Sequence, residues 1–310
     1  MEKKSNEVLY QKIGIVINNL ALNLLSKNKY DRIPPISYYQ EEFNVARGTV
    51  QNAFNYLKDI GAIELRNRGY QGTYISEIDY IKLQECCMQK QILGIMPLPY
   101  SKTYEGFATA IYTQLNKLKF NMTYTRGAVG RINLVEIGVY QFAVVSQYAA
   151  EYSISHGSDI DIAMNFGVGS FLSKHVLLLR DKNCTEISDG MKVSYDEDSL
   201  DQSSITKNLV RNKKVTLVDV RVQQIVSLLL SGDIDAGVLN YDDIVENYKL
   251  DNVNVVFLSD DEYNKLFSTA VIVIKKGNLY LKAILNKNID VNNTIKILNA
   301  VKNGDLKANL

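Results

Sequence analysis

Residues 44–75 have the sequence NVARGTVQNAFNYLKDIGAIELRNRGYQGTYI, in which a turn, a helix and a β-hairpin follow one another. The apolar residues of the helical part recur at three- and four-residue steps, at Val50, Ala53, Phe54 and Leu57. That spacing predicts one buried face of an amphipathic helix, which Gly61 ends. A second, shorter helix around Tyr38–Phe43 precedes the turn. The alternating runs Ile63–Leu65 and Thr73–Ile75 flank a glycine-containing tip and complete a winged helix-turn-helix.

The polar side chains of this stretch suit the major groove of DNA. Arginine can pair with guanine through two hydrogen bonds, glutamine or asparagine with adenine, and the threonine methyl group can touch thymine. A glycine at a helix N-terminus lets backbone amides approach phosphate, and arginines near a wing can meet the DNA backbone or the minor groove. The candidate DNA contacts are Tyr38, Arg47, Gly48, Thr49, Gln51, Asn52, Arg66, Arg68, Gln71 and Gly72. The alternative is a small helical domain for protein contacts with incidental polar residues.

The run from Ile33 through Ile75 resembles the winged helix-turn-helix of GntR-type regulators. Residues 46–50, Ala-Arg-Gly-Thr-Val, stand where such proteins commonly carry Ser-Arg-x-Thr-Val, and residues 69–73 match the wing. Ala46 departs from the usual serine, so a hydroxyl that could cap the helix or contact phosphate is missing. The resemblance implies DNA binding.

Length and charge indicate more than one domain. The chain has 310 residues, 46% of them hydrophobic and 22% charged, with a net charge of +1. Residues 1–76 contain ten Lys or Arg and seven Asp or Glu, so the N-terminal part carries the basic excess. At roughly 150 residues per domain, two domains are expected. We predict a DNA-binding domain at 1–76, a helical linker at 77–91 and a second, larger domain at 92–310.

Short apolar runs alternate with helical segments from Ile92 onward. The runs are Ile92–Met96, Phe142–Ser146, Val176–Leu179, Val215–Val220, Ala236–Asn240 and Ala270–Ile274. Turn or helix signals bound each run, as in the buried parallel strands of an α/β domain. The larger part of the chain is therefore predicted to be α/β.

Five blocks of this larger part resemble the YhfZ family. They are MPLPYSKTYEGFATA (96–110), TRGAVGRI (125–132), GVYQFAVVS (138–146), SYDEDSLDQSSIT (194–206) and GDIDAGVLN (232–240). The resemblance implies that residues 92–310 form an effector-binding domain with a type II periplasmic-binding-protein-like fold, in which two α/β lobes surround a cleft. Gln141 stands where the family pattern tends to have Asp, so a contact made by that acid is not expected here.

Strand ends and helix starts supply the candidate ligand site, because free N–H groups and the helix dipole favour anions there. The candidates are Tyr100, Ser101, Tyr104, Glu105, Arg126, Ser146, Gln147, Ser199, Asp201, Gln202 and Asn240. Arg126 and Arg131 can each neutralise a carboxylate or phosphate, although a single arginine more often packs or faces solvent. Ser199 and Asp201 are equally well explained as helix caps.

Sequence motifs for catalysis and metal binding are missing. The chain has no G-x-S-x-G, Walker or G-x-G-x-x-G pattern, and Asp233 and Asp235 are better explained as strand-end residues than as a catalytic pair. The three cysteines and two histidines have no metal spacing, and His175 beside a strand is expected to be structural. No apolar run reaches the ~18 residues of a membrane span. We expect a cytoplasmic protein without cofactor, metal or enzymatic activity.

These features together predict a transcriptional regulator. A homodimer would bind an operator with dyad symmetry, and an effector bound between the lobes would alter the relative placement of the two DNA-binding domains. The alternative is a ligand sensor or protein-interaction scaffold that does not bind DNA.

Overall fold

The computed structural model describes residues 2–87, 91–248, 252–258 and 262–310. The first elements in chain order are α1 (Glu2–Leu25), β1 (Arg32–Ile33), α2 (Ile36–Phe43), α3 (Arg47–Asp59), β2 (Ile63–Asn67), β3 (Thr73–Ile78) and α4 (Tyr80–Glu85). Helices α2 and α3 form the predicted helix-turn-helix. The turn depends on Asn44, whose left-handed backbone (φ 49°) ends α2.

The core of this helix-turn-helix is built from the predicted apolar face of α3. Val50, Ala53, Phe54 and Leu57 are all buried, which confirms the sequence prediction. Tyr39 of α2 is fully buried, and its ring meets that of Phe54 edge-on at 5.4 Å between centroids. Helix α1 packs against α3 on the same side. The opposite face of α3 is consequently left open.

The wing is a three-stranded antiparallel sheet in the order β1-β3-β2. The hairpin was predicted, whereas the short strand β1 was not. Arg66 lies inside β2 and not at the tip, which is a 3₁₀ turn at Gly69–Gln71. Gly72 closes the turn with φ 96°, a conformation that favours glycine.

The segment after the wing belongs to the same compact unit. Strand β3 continues to Ile78, and α4 lies within the predicted helical linker, with Leu83 and Gln84 buried. Met88–Lys90 of that linker lie outside the described residues. The first compact unit comprises Met1–Ile92, Leu115–Asn121 and Leu279–Asn288, so it is discontinuous in sequence. The boundaries at residues 76 and 91 stay a prediction.

The remaining elements form two five-stranded sheets with their helices, except the helix Leu279–Asn288, which belongs to the first compact unit. They are β4 (Ile92–Met96), α5 (Lys102–Gln114), β5 (Phe120–Tyr124), α6 (Ala128–Glu136), β6 (Phe142–Ser146), α7 (Gln147–Ser155), β7 (Ile160–Asn165), β8 (His175–Leu179), β9 (Lys192–Tyr195), α8 (Leu200–Val210), β10 (Thr216–Asp219), α9 (Ile225–Ser231), β11 (Ala236–Asn240), α10 (Tyr241–Asn247), β12 (Asn254–Phe257), α11 (Glu262–Ser268), β13 (Ala270–Lys275), α12 (Leu279–Asn288) and α13 (Val291–Asn303).

Each sheet is the centre of one lobe. Lobe 1 has the strand order β5-β4-β6-β13-β7, and lobe 2 has the order β10-β9-β11-β8-β12. The chain passes from lobe 1 to lobe 2 between β7 and β8 and returns between β12 and β13. This arrangement confirms the predicted two-lobed α/β fold.

Strand positions were predicted better than strand directions. All six predicted runs are strands, but β13 pairs antiparallel with β6 and β7, and β8 pairs antiparallel with β11 and β12. The prediction of parallel strands was therefore wrong for β8 and β13, because periodicity carries no information on direction. Strand β10 lies at the edge of its sheet and is largely exposed, not buried. Strands β5, β7, β9 and β12 were not predicted.

No helix among the described residues is both long and apolar enough to cross a membrane.

Candidate functional site

The open face of α3 contains the residues predicted to read bases. Arg47, Gly48, Gln51 and Asn52 are exposed, and Thr49 is half-buried in the first turn. Nothing lies within 4 Å of a Cβ placed on Gly48, so its backbone is accessible. The N-terminal half of α3 therefore presents side-chain donors and acceptors together with free backbone amides.

The start of α3 lacks a side-chain cap. Ala46 occupies the N-cap position with extended backbone (φ −66°, ψ 150°) and makes no side-chain hydrogen bond. We expect Ala46→Ser to stabilise the protein by about 0.5–2 kcal/mol, because its hydroxyl can accept from a free N–H of the first turn. Chemical denaturation followed by circular dichroism measures the gain. The matched control is Ala46→Val, which cannot cap; equal stability of the two variants would contradict this role of Ala46.

Three arginines surround Tyr74 on the wing. Arg32 of β1 and Arg66 of β2 both pair in register with Tyr74 of β3, which places the three side chains on one face of the sheet. Arg68 lies over the Tyr74 ring, 4.8 Å from its centroid. We call Arg32, Arg66 and Arg68 the wing arginine cluster. Arg32 was missed by sequence reasoning because its position depends on β1, which the sequence did not predict.

The other predicted DNA contacts lie near these two surfaces. Tyr38 is exposed on α2 and meets the Tyr39 ring edge-on at 5.2 Å. Gln71 is exposed at the tip of the wing. A Cβ on Gly72 would lie 2.7 Å from the Arg32 Nε, so this glycine lets Arg32 pack against the tip.

A cavity of about 100 Å³ lies between the two lobes. Both lobes around it belong to the second compact unit. Eight of the eleven predicted ligand-site residues line it: Tyr100, Tyr104, Arg126, Ser146, Ser199, Asp201, Gln202 and Asn240. Residues from lobe 1 and lobe 2 that are up to 140 positions apart in sequence are thus brought together.

The remaining three predicted residues have other environments. Ser101 and Glu105 line a neighbouring groove, and the Ser101 Oγ accepts from the Tyr104 N–H (3.4 Å) at the start of α5. The Gln147 Nε2 donates to Glu151 (2.6 Å), and its Oε1 accepts from Asn165 (3.0 Å). None of the three lines the inter-lobe cavity.

Direct contacts hold the two lobes together at the cavity. The Ser146 Oγ of lobe 1 donates to the Asp201 Oδ1 of lobe 2 (2.7 Å) and also accepts from the Ala149 N–H (3.0 Å). Arg126 of lobe 1 lies 3.3 Å from the Asp198 carboxylate and 3.8 Å from that of Asp196. Gly127 next to it has φ 76° and starts α6 at the cavity wall. The charge of Arg126 is therefore already balanced by lobe 2.

Arg131 is the cavity residue whose role the sequence understated. It is 3% exposed, its Nε donates to the Val144 carbonyl (3.2 Å), and its Nη1 donates to the Thr125 carbonyl (2.9 Å). Burial lowers the pKa of Arg131 to about 10, so the guanidinium is charged at neutral pH. These two bonds fix the orientation of the side chain and leave Nη2 without a hydrogen-bond partner among the described residues.

Two titratable groups of lobe 2 also line the cavity. Burial raises the pKa of Asp201 to about 7, although the Ser146 hydroxyl and Arg131 oppose the shift. Burial lowers the pKa of His175 to about 4, so its ring is neutral at physiological pH. The His175 Nε2 is buried and has no hydrogen-bond partner within the described chain. The sequence did not reveal this site because it places His175 simply at the start of a strand.

Family models match both parts of the chain. Residues 79–309 match the model described as YhfZ C-terminal domain, and residues 28–75 match a helix-turn-helix domain. The YhfZ protein of Escherichia coli (strain K12) is 28% identical over 281 residues, which are 90% of this chain and 91% of that protein.

Solved structures show the same architecture. The crystal structure of YhfZ from Shigella flexneri has a TM-score of 0.61 at 26% identity and covers 71% of this chain and 93% of its own. The amino acid ABC transporter substrate-binding protein AbpA from Streptococcus pneumoniae, bound to L-arginine, has a TM-score of 0.51 at 16% identity and covers 70% of this chain and 95% of its own. The C-terminal part therefore has a periplasmic-binding-protein-like fold.

Proposed function

The chain belongs to the YhfZ family, and from this premise we propose that it is a cytoplasmic transcriptional regulator whose winged helix-turn-helix reads an operator and whose inter-lobe cavity binds a small-molecule effector. The observation that carries the proposal is the open N-terminal half of α3 beside the wing arginine cluster, in a chain that also has a cavity between two lobes. Base-reading side chains and phosphate-neutralising arginines are the two components that specific DNA binding needs.

Regulation would follow from the difference in effector affinity between two conformations. An effector that touches both lobes favours the closed arrangement, and in a homodimer this change would alter the spacing of the two α3 helices. We propose half-sites that lie about one DNA turn, or a multiple of it, apart, where one turn is about 10 base pairs centre to centre. The resemblance of residues 69–73 to the wing of GntR-type regulators supports the same mode of DNA binding. In this proposal the cavity binds its ligand without converting it.

Arg47→Ala is expected to weaken specific DNA binding by about 1–3 kcal/mol and to relax sequence preference, because a guanidinium that pairs with guanine discriminates between bases. Fluorescence anisotropy with operator and scrambled DNA measures the ratio of the two affinities. The matched control is Arg68→Ala, which is expected to weaken both DNAs alike and to reduce the salt slope by about one. Unchanged operator affinity in the Arg47 variant would rule out its role in base reading.

The function as a whole is tested with the purified full-length chain and the DNA upstream of its own and neighbouring genes. Binding is measured from about 50 to about 200 mM salt, with and without a metabolite library. Salt-dependent binding to a dyad site that one compound shifts supports the proposal. The absence of DNA binding at every salt concentration overturns it and favours the scaffold or ligand-sensor alternative. Release of a converted product from the library would instead indicate an enzyme.

A further inference from the structure

Two ionisable groups of opposite charge type face the cavity without pairing. Arg131 of lobe 1 is 3% exposed and Asp201 of lobe 2 is 8% exposed, yet among the described residues no ion pair within 4 Å joins them. The hydrogen bonds of Arg131 use Nε and Nη1, and that of Asp201 uses Oδ1. The Arg131 Nη2 and the Asp201 Oδ2 therefore each keep an unused site on the cavity side.

Burial of a charged group is unfavourable unless something compensates it. Burial accordingly raises the pKa of Asp201 to about 7, and direct contact with Arg131 would have stabilised the carboxylate. The structure instead places them on opposite lobes with the cavity between them. A molecule that carries one negative and one positive group can pair with Arg131 and Asp201 at the same time.

A further polar group of the cavity wall lacks a partner. The His175 Nε2 is buried and has no hydrogen bond within the described chain. A neutral imidazole offers one donor and one acceptor, and buried polar groups of this kind normally have partners. This atom is an observation independent of Arg131 and Asp201, and it too indicates a polar ligand.

The start of α6 supports a negative ligand group at Arg131. Arg131 belongs to α6, whose first residues Gly127 and Ala128 line the cavity and whose N-terminus favours a negative group. The Asp201 carboxylate projects from the first turn of α8 on the other lobe. A carboxylate is therefore favoured at the Arg131 side and an ammonium group at the Asp201 side.

The cavity has room for a small ligand. A cavity of roughly 150 Å³ binds benzene, which has six carbon atoms. The inter-lobe cavity of about 100 Å³ accordingly suits a molecule of a few heavy atoms, in which a carboxylate and an ammonium group are separated by one or two carbon atoms.

We propose that the effector is a small zwitterion of the amino-acid class, with its carboxylate on Arg131 and its ammonium group on Asp201, so that the ligand bridges the two lobes. This inference rests on the proposed function and specifies its ligand. Arg126 does not bind the carboxylate in this proposal, because Asp196 and Asp198 already neutralise its charge.

Isothermal titration of the full-length protein tests the proposal with four probes: glycine, L-alanine, propionate and ethylamine. Propionate lacks the ammonium group of alanine, and ethylamine lacks the carboxylate. We expect glycine or alanine to bind about tenfold or more tightly than both single-charge probes, because each removes one charge-assisted contact. Equal affinity for alanine and propionate would overturn the assignment of the ammonium site.

The variant Asp201→Asn keeps an acceptor for Ser146 and removes the charge. Its affinity for the zwitterion is expected to fall about tenfold or more, whereas its affinity for propionate stays or rises. The control Asp219→Asn changes an exposed carboxylate at the end of β10 and is expected to bind like the parent. A uniform loss for all probes in Asp201→Asn would indicate a structural role and contradict the proposal.

The outcomes separate this inference from the proposed function. If the protein binds operator DNA and a compound of another charge type shifts it, the regulator survives and the zwitterion is wrong. If no zwitterion binds, the inference fails whatever the DNA does. If DNA is not bound but alanine binds with the expected dependence on Asp201, the ligand class stands and the regulatory function fails.

Discussion

Replacing Asp201 by Asn is expected to make the free energy of unfolding rise by about 3 kcal/mol between pH 4 and pH 6.5, while the parent protein changes much less over the same range. The reason is that two buried groups of the cavity titrate in opposite senses. In the parent, the opposite pH dependences that His175 and Asp201 give to the stability nearly cancel. The substitution removes the contribution of Asp201 and leaves that of His175.

The sign follows from the proton counts of the folded and unfolded states. The folded pKa of His175 is lowered to about 4 from 6.5, so between these values the unfolded chain binds more protons and stability rises with pH. The folded pKa of Asp201 is raised to about 7 from 3.8, so in that window the folded protein binds more protons and stability falls with pH. Asp242 faces His175, and Arg131 faces Asp201; both attractions reduce the shifts without reversing them.

The converse variant is the matched control. His175→Gln is expected to lose up to about 4 kcal/mol of stability from pH 4 to pH 7, because only the ionisation of Asp201 remains. Urea denaturation at several pH values, followed by far-ultraviolet circular dichroism, suits a chain without tryptophan. Parallel pH profiles for the parent and both variants would show that neither group is buried in the folded protein as described.

The sequence was sufficient for the features that depend on neighbouring residues. The buried face of α3 follows from steps of three and four residues, and Gly61 marks its end, because both signals are local. The glycine-containing tip likewise located the wing hairpin. Arg32 escaped prediction because its place beside Tyr74 depends on a pairing between β1 and β3, some forty residues apart.

Features that depend on the path of the chain between the two lobes could not be predicted from the residues. Strand β13 enters lobe 1 from lobe 2 and so pairs antiparallel with β6, although its apolar run resembles any buried strand. The convergence of Ser146 and Asp201 at 2.7 Å depends on the two-lobed fold, which only the family resemblance implied. The prediction left Arg131 open between ligand binding and a packing or surface role, because a position on a cavity wall has no sequence signature.

The second large effect concerns two helical glycines, Gly106 and Gly130. Their replacement by alanine is expected to change the stability in opposite directions. Gly106 of α5 lies against α13, where a Cβ would be 2.8 Å from the Leu298 carbonyl oxygen and 2.9 Å from its Cα. Those atoms belong to the backbone of a helix and cannot move aside like a flexible side chain. We expect Gly106→Ala to destabilise the protein by about 1–3 kcal/mol, since overpacking forces the backbone to shift.

Gly130 of α6 provides the control, because nothing lies within 4 Å of a Cβ at that position. Gly130→Ala is expected to stabilise by about 0.5–1 kcal/mol through helix propensity alone. Denaturant midpoints at a constant m-value measure both changes. Stabilisation by both variants would show that α5 and α13 are not in close contact. The first turn of α5 carries Tyr104 at the cavity wall, so Gly106→Ala should weaken effector binding as well, whereas Gly130→Ala should not.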